Sequence, residues 1–209
     1  MKNLINFDDV NTKIISTGLF RNKYRVKSHR LQGWNYANTG HYFITIVTAF
    51  RKHVFGHIEN DKMILNEIGK IAQNEFEKSF VMRSELSLGE FVFMPNHLHA
   101  IVCLDKSPCG DARPCRDARP CVSTNTPILY RQPKSISSFV AGFKSAAIQK
   151  INDWIDFGGV LRKYNRQNPL WQSNYHDHII RNQREYTNIA NYIVDNPAVL
   201  GKDRFNSLN

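Results

Sequence analysis

Leu86-Ser-Leu-Gly-Glu-Phe-Val-Phe-Met-Pro-Asn-His-Leu-His-Ala-Ile-Val-Cys-Leu104 reads as two extended runs on either side of a turn. Aromatic and β-branched residues favour strands. Pro95 and Asn96 interrupt the pattern, because proline cannot donate to a sheet ladder and the pair suits a turn or bulge. In the run that follows, alternate side chains share a face, so His97 and His99 project together while Leu98 and Ala100 point the other way. Two imidazoles on one side of a strand can chelate a metal. The same spacing also arises by chance and serves structural roles, so the pair alone does not decide its chemistry.

Working outward, Tyr42 to Thr48 is rich in β-branched and aromatic residues and reads as a buried strand. Met63 to Phe80 places Ile64, Ile68, Ile71, Ala72, Glu75 and Phe76 near a 3.6-residue period, which predicts an amphipathic helix. Ser135 to Asn152 predicts another, with Ile136, Phe139, Val140, Phe143, Ala147 and Ile151 on one stripe and Ser135 as its cap. Trp171 to Arg181 has strand character. A last helix is expected from about Gln183 to Asn196, stopped by Pro197. The order is strand, helix, strand, strand, helix, strand, helix, without a Gly-rich phosphate loop. That order implies an α+β sandwich, one mainly antiparallel sheet with helices packed on it.

The chain has 209 residues, enough for one domain, which we expect over 20–200 after an amino-terminal arm (1–19) and before a tail (201–209). Between residues 105 and 133, Asp111-Ala-Arg-Pro-Cys115 recurs as Asp117-Ala-Arg-Pro-Cys121, and little there can form a core. An inserted, mobile repeat loop is expected. Cys103, Cys109, Cys115 and Cys121 lack the C-x-x-C pairs of a zinc site. No long apolar run and no signal-peptide layout are present, so a soluble cytoplasmic protein without a membrane partner is expected. Twenty-eight Lys and Arg against 18 Asp and Glu give a net charge of +10. Such a balance favours a polyanion such as nucleic acid, although it also serves solubility. Arg21, Lys23, Arg25 and Lys27 alternate just before Trp34 and Tyr36, a mixture that suits single-stranded nucleic acid or a solvated basic arm.

In the last helix Tyr186, Ile189, Ala190 and Ile193 form the apolar stripe. At about 100° per residue, Tyr192 lies roughly 110° and Asn196 roughly 70° from the stripe's centre on one flank. A hydroxyl nucleophile and an amide ligand one turn apart can approach the same metal. Spacing alone favours an ordinary aromatic bordering the core.

Phe93-Met-Pro-Asn-His97-Leu-His99-Ala-Ile-Val resembles the histidine motif of the HUH nucleases. Trp171-Gln, Tyr175-His-Asp-His-Ile-Ile-Arg181 and Ile189-Ala-Asn-Tyr192-Ile-Val-Asp-Asn196-Pro197 resemble the carboxyl-terminal signature of the REP-associated tyrosine transposases, relatives of the single-tyrosine transposases of small insertion sequences. Tyr24-Arg-Val-Lys-Ser-His-Arg-Leu31, Tyr42-Phe-Ile-Thr-Ile46 and Gly142-Phe-Lys-Ser145 extend the likeness to roughly residues 20–200. The resemblance implies a ferredoxin-like sheet with a late helix carrying the tyrosine. It implies His97, His99 and Asn196 as ligands of Mg²⁺ or Mn²⁺, and Tyr192 as the nucleophile that joins to a 5′ phosphate in single-stranded or hairpin DNA. The inserted repeat departs from the family pattern and puts that loop's role in question.

Arg25, Arg30 and Lys144 are candidates for phosphate contacts, and His178 for a supporting residue. Two other functions fit parts of the pattern. One is a DNA-binding protein that has kept the fold without the chemistry, and the other a zinc hydrolase using His97 and His99 with His176 or His178. Monomer and homodimer both remain open, as does action of the tyrosine in its own or a partner's site.

Overall fold

The computed structural model describes residues 19–20, 24–25, 34–105, 132–158 and 162–202. Arg30, the two repeats with Cys109, Cys115 and Cys121, nearly all of the arm and the end of the tail lie outside the described residues. Two short strands, β1 (Leu19–Phe20) and β2 (Tyr24–Arg25), pair antiparallel. The sheet that organises the domain comprises β3 (Gly40–Val47), β6 (Leu86–Met94), β7 (His97–Leu104) and β8 (His176–Ile180). Its order is β6-β7-β3-β8, antiparallel throughout. Helix α1 (Glu67–Val81) connects its first two strands and α2 (Ile136–Asp156) its last two, while α3 (Gln183–Asp195) follows the sheet. This is the β-α-β-β-α-β arrangement of the ferredoxin-like sandwich, and the α+β expectation holds.

One sheet face meets α1 and α2. Tyr42, Ile44 and Ile46 of β3 and Leu98, Ala100 and Val102 of β7 are fully buried there against Ile68, Ala72 and Phe76 of α1 and Phe139, Val140 and Phe143 of α2. The α2 stripe read from the sequence is the buried face. Ser135 caps it as expected, its hydroxyl accepting from Ser138 N while the Ser138 hydroxyl accepts from Ser135 N in return. Phe76 sits at the centre, its ring 5.1 Å from that of Phe143 and 6.0 Å from that of Phe93.

The helix expected from Met63 begins later. Met63–Leu65 belong to β5 (Lys62–Leu65), which pairs with β4 (Gly56–Glu59) in a hairpin absent from the sequence reading. Asn60 and Asp61 both have positive φ (48° and 58°), the backbone that two-residue hairpin turns require. Asn66 then caps α1 by accepting from Gly69 N at 2.9 Å. A Cβ on Gly69 would come within 2.2 Å of the Phe55 carbonyl oxygen, so glycine lets the first turn sit against the strand end. Trp171 to Arg181 is also less extended than expected, with Trp171 making one bridge to Thr48 before β8 begins at His176. Pro197 ends the α ladder, but the chain continues as a 3-10 turn over Asn196–Lys202, since proline's fixed φ suits a first helical turn. No described helix is long and apolar enough to cross a membrane.

Truncating Phe76 to Ala removes the hub of this aromatic cluster and is expected to lower stability by about 3–5 kcal/mol. Urea titration measures it, and a loss below about 1 kcal/mol would contradict the packing described.

Candidate active site

The face of β7 that carries His97, His99, Ile101 and Cys103 is turned away from the main core. On this face Thr45 stands opposite His99 and Val47 opposite His97 on β3, and Val92 and Met94 oppose them on β6. Helix α3 covers it. Ile193 is fully buried against Ile101 and Ile180, with Tyr186, Ile189 and Ala190 packed around them, so the predicted stripe does hold the helix. Gly89, at the irregularity in β6, makes room for the Tyr186 hydroxyl, which would lie 2.8 Å from a Cβ there.

These contacts bring Tyr192 onto the histidines. Its hydroxyl lies 3.3 Å from His99 Nε2, and Phe43 stacks on the His99 ring with centroids 5.3 Å apart. His97 and His99 are 0% and 1% exposed, their rings 4.5 Å apart, whereas Tyr192 is 39% exposed. The nucleophile candidate thus reaches solvent and the histidines do not.

Buried imidazoles need defined partners. Asn96, itself fully buried, donates through Nδ2 to the Arg51 carbonyl at 3.1 Å, which turns Oδ1 toward His97 Nδ1 at 2.7 Å. An amide oxygen only accepts, so Nδ1 of His97 carries the proton and the lone pair resides on Nε2. His99 Nδ1 lies 2.8 Å from Thr45 Oγ1. The same tautomer satisfies both His99 contacts, Nδ1 donating to Thr45 and Tyr192 O–H donating to Nε2. Thr45 and Asn96 were missed in the sequence, although Thr45 is the hydroxyl in an otherwise apolar run and Asn96 adjoins His97.

Asn196 is fully buried at the end of α3, one turn beyond Tyr192, and neither amide atom has a hydrogen-bond partner among the described residues. His178 lies two strands from β7, opposite Phe43 on β8, and pairs with Glu185 Oε1 at 2.6 Å. Among the described residues no three His, Cys, Asp or Glu side chains gather as a metal cluster, so His176 and His178 do not complete a site with His97 and His99. Lys144 Nζ donates to the carbonyls of Gln172 (2.7 Å) and Asn174 (3.0 Å), tying α2 to the approach to β8. Arg25 lies on β2.

No protein-family profile matches the chain. It is 33% identical over 186 residues to an uncharacterised protein of Haemophilus influenzae, covering 85% of this chain and 91% of that one. The two belong to one family. Among solved structures, a REP-associated tyrosine transposase bound to a REP hairpin superposes with a TM-score of 0.50 at 17% identity, covering 86% of this chain and 77% of that one. The chain has the REP-associated tyrosine transposase fold. Here the last helix lies over the histidine strand, and its entry is set by Glu185. The Glu185 carboxyl is held below the usual carboxylate range by the Arg181 N–H, then by His178.

A depressed carboxyl pKa contributes stability above the group's ordinary pKa and loses it as pH falls through the folded value. The stability difference between the native chain and Glu185→Gln is therefore expected at neutral pH and should vanish on acidification below the carboxylate range. Denaturant midpoints across pH measure it, and a difference independent of pH would refute the assignment.

Proposed function

We propose that this chain nicks and joins single-stranded DNA through a 5′-phosphotyrosine at Tyr192, acting beside hairpins as a transposase. The observation that carries the reading is Tyr192, an exposed residue whose hydroxyl rests 3.3 Å from His99 Nε2, on a helix that also ends in the buried Asn196. Tyr192 oxygen attacks phosphorus, the P–O3′ bond breaks, and the tyrosine proton ends on the departing 3′ hydroxyl. The bond energy is kept for rejoining, when a 3′ hydroxyl displaces Tyr192, and no water-activating base is required. Arg25, Arg30 and Lys144 are the proposed phosphate contacts, which orient a strand without reading its bases.

The site's donors fit a divalent ion. With each Nδ1 directed at a protein oxygen, His97 and His99 present Nε2 lone pairs on one strand face, and Asn196 has a buried amide oxygen without a hydrogen-bond partner among the described residues. Held by these three residues, Mg²⁺ or Mn²⁺ would polarise the scissile phosphate and offset its developing charge. Two nitrogen ligands favour Mn²⁺.

Incubated with Mn²⁺ and a labelled hairpin flanked by single strands, the chain should form an adduct that survives denaturant and is lost in Tyr192→Phe. Hairpin binding without adduct would favour a DNA-binding protein lacking the chemistry.

A second expectation concerns Thr45. Thr45→Val, nearly isosteric, should weaken Mn²⁺ binding by about 10–100-fold, while Thr45→Ser retains it. Calorimetric titration distinguishes them, and equal affinities would remove Thr45 from the orientation of His99.

A further inference from the structure

The segment after β3 has an unusual backbone. Phe50 (φ 56°, ψ 19°) and Arg51 (φ 53°) occupy the left-handed region consecutively, where a side chain other than glycine, asparagine or aspartate is disfavoured. Such backbone persists only where surrounding contacts over-determine it. Those contacts are present. Ala49 N donates to the Leu170 carbonyl at 2.8 Å, Thr48 N to the Asn96 carbonyl at 2.9 Å, and Thr48 Oγ1 to the Lys52 carbonyl at 2.8 Å. Asn96 Nδ2 holds the Arg51 carbonyl from the other side.

This anchored turn presents Phe50 rather than burying it. Phe50 is 44% exposed, Lys52 Nζ stands 5.6 Å from its ring centroid, and Lys52 and His53 are exposed. No core gain offsets the backbone cost, so packing does not account for an aromatic here. The turn is also close to the chemistry, since the Arg51 carbonyl and the His97 ring are joined through the two hydrogen bonds of Asn96.

We propose that Phe50 is a stacking platform for an unpaired nucleobase next to the scissile phosphate, with Lys52 and His53 facing the adjoining backbone phosphates. The inference rests on the DNA-processing reading above and adds a binding site to it. An aromatic face beside cations takes any base, because every base has a π-face and every linkage a negative charge. The platform therefore holds a single strand in place beside Tyr192 without selecting its sequence.

The test uses hairpin DNA with a single-stranded flank carrying 5-iodouracil at successive positions, irradiated with the full chain and mapped by mass spectrometry. One flank position is expected to crosslink to residue 50. Phe50→Gly should lose that crosslink and bind the flanked hairpin about tenfold more weakly, the order of one stacked base. Because glycine adopts positive φ without strain, this variant should be at least as thermally stable as the parent, which separates lost stacking from misfolding. Phe50→Tyr should restore crosslink and affinity. If the native chain binds DNA and Phe50→Gly binds it equally, with crosslinks elsewhere, the platform is overturned and the nicking reading stands. If the native chain binds neither single strands nor hairpins, both fall.

Discussion

Strand β7 has water on neither side for most of its length, since every residue from His97 to Val102 is buried. A central strand must distribute its side chains between two faces, and here the faces differ in chemistry. Leu98, Ala100 and Val102 supply the apolar layer under α1 and α2, while His97 and His99 are driven into a second, smaller interior under α3. Burial of that apolar layer fixes the strand's register. A slip by one residue would exchange imidazoles for leucine in the main core. The position of the histidines is thus set by the packing of their neighbours.

Burying two imidazoles has a cost that the surrounding polar contacts offset. Thr45 reaches His99 from the adjacent strand and Asn96 reaches His97 from the preceding turn, where the amide oxygen, which only accepts, puts the proton on His97 Nδ1. Tyr192 comes from a third direction, on a helix whose own buried contact is small, Ile193 against Ile101 and Ile180 with a partly buried surround. Gly89 permits the Tyr186 approach and Glu185 joins the start of the helix to β8. Two strands and one lightly held helix therefore meet at a single imidazole, that of His99, with Thr45 at Nδ1 and Tyr192 at Nε2.

How much of this was legible in the sequence follows from the range of each interaction. The alternation at 97–102 and the α2 stripe are local patterns with the periods of their elements, and both were read correctly. The β4-β5 hairpin was not, because Ile64 serves a strand yet also falls on the helical period that continues through Ile68 and Ile71. Asn60-Asp61 was its available signal. Thr45 could be seen as a polar residue in a strand, but its pairing with His99 spans 54 positions and depends on sheet register. The left-handed Phe50 and Arg51 carried no mark at all, since neither residue type favours that backbone. Asn196 was found from its helical phase to Tyr192, and its complete burial is a property of the tertiary structure alone.

The connection from β7 to α2 departs from Leu104, at the opposite end of the strand from His97. Seven steps of about 3.4 Å place the two roughly 24 Å apart. Its two ends are fixed independently, Asp105 N by the Glu85 carbonyl and Ile136 N by the Tyr36 carbonyl. Gain or loss of one hexamer changes the chain by a whole unit between these anchors, without altering the phase of strand or helix. A change of one hexamer there therefore leaves the register of the histidine strand, set by its own pairing with β3 and β6, where it is.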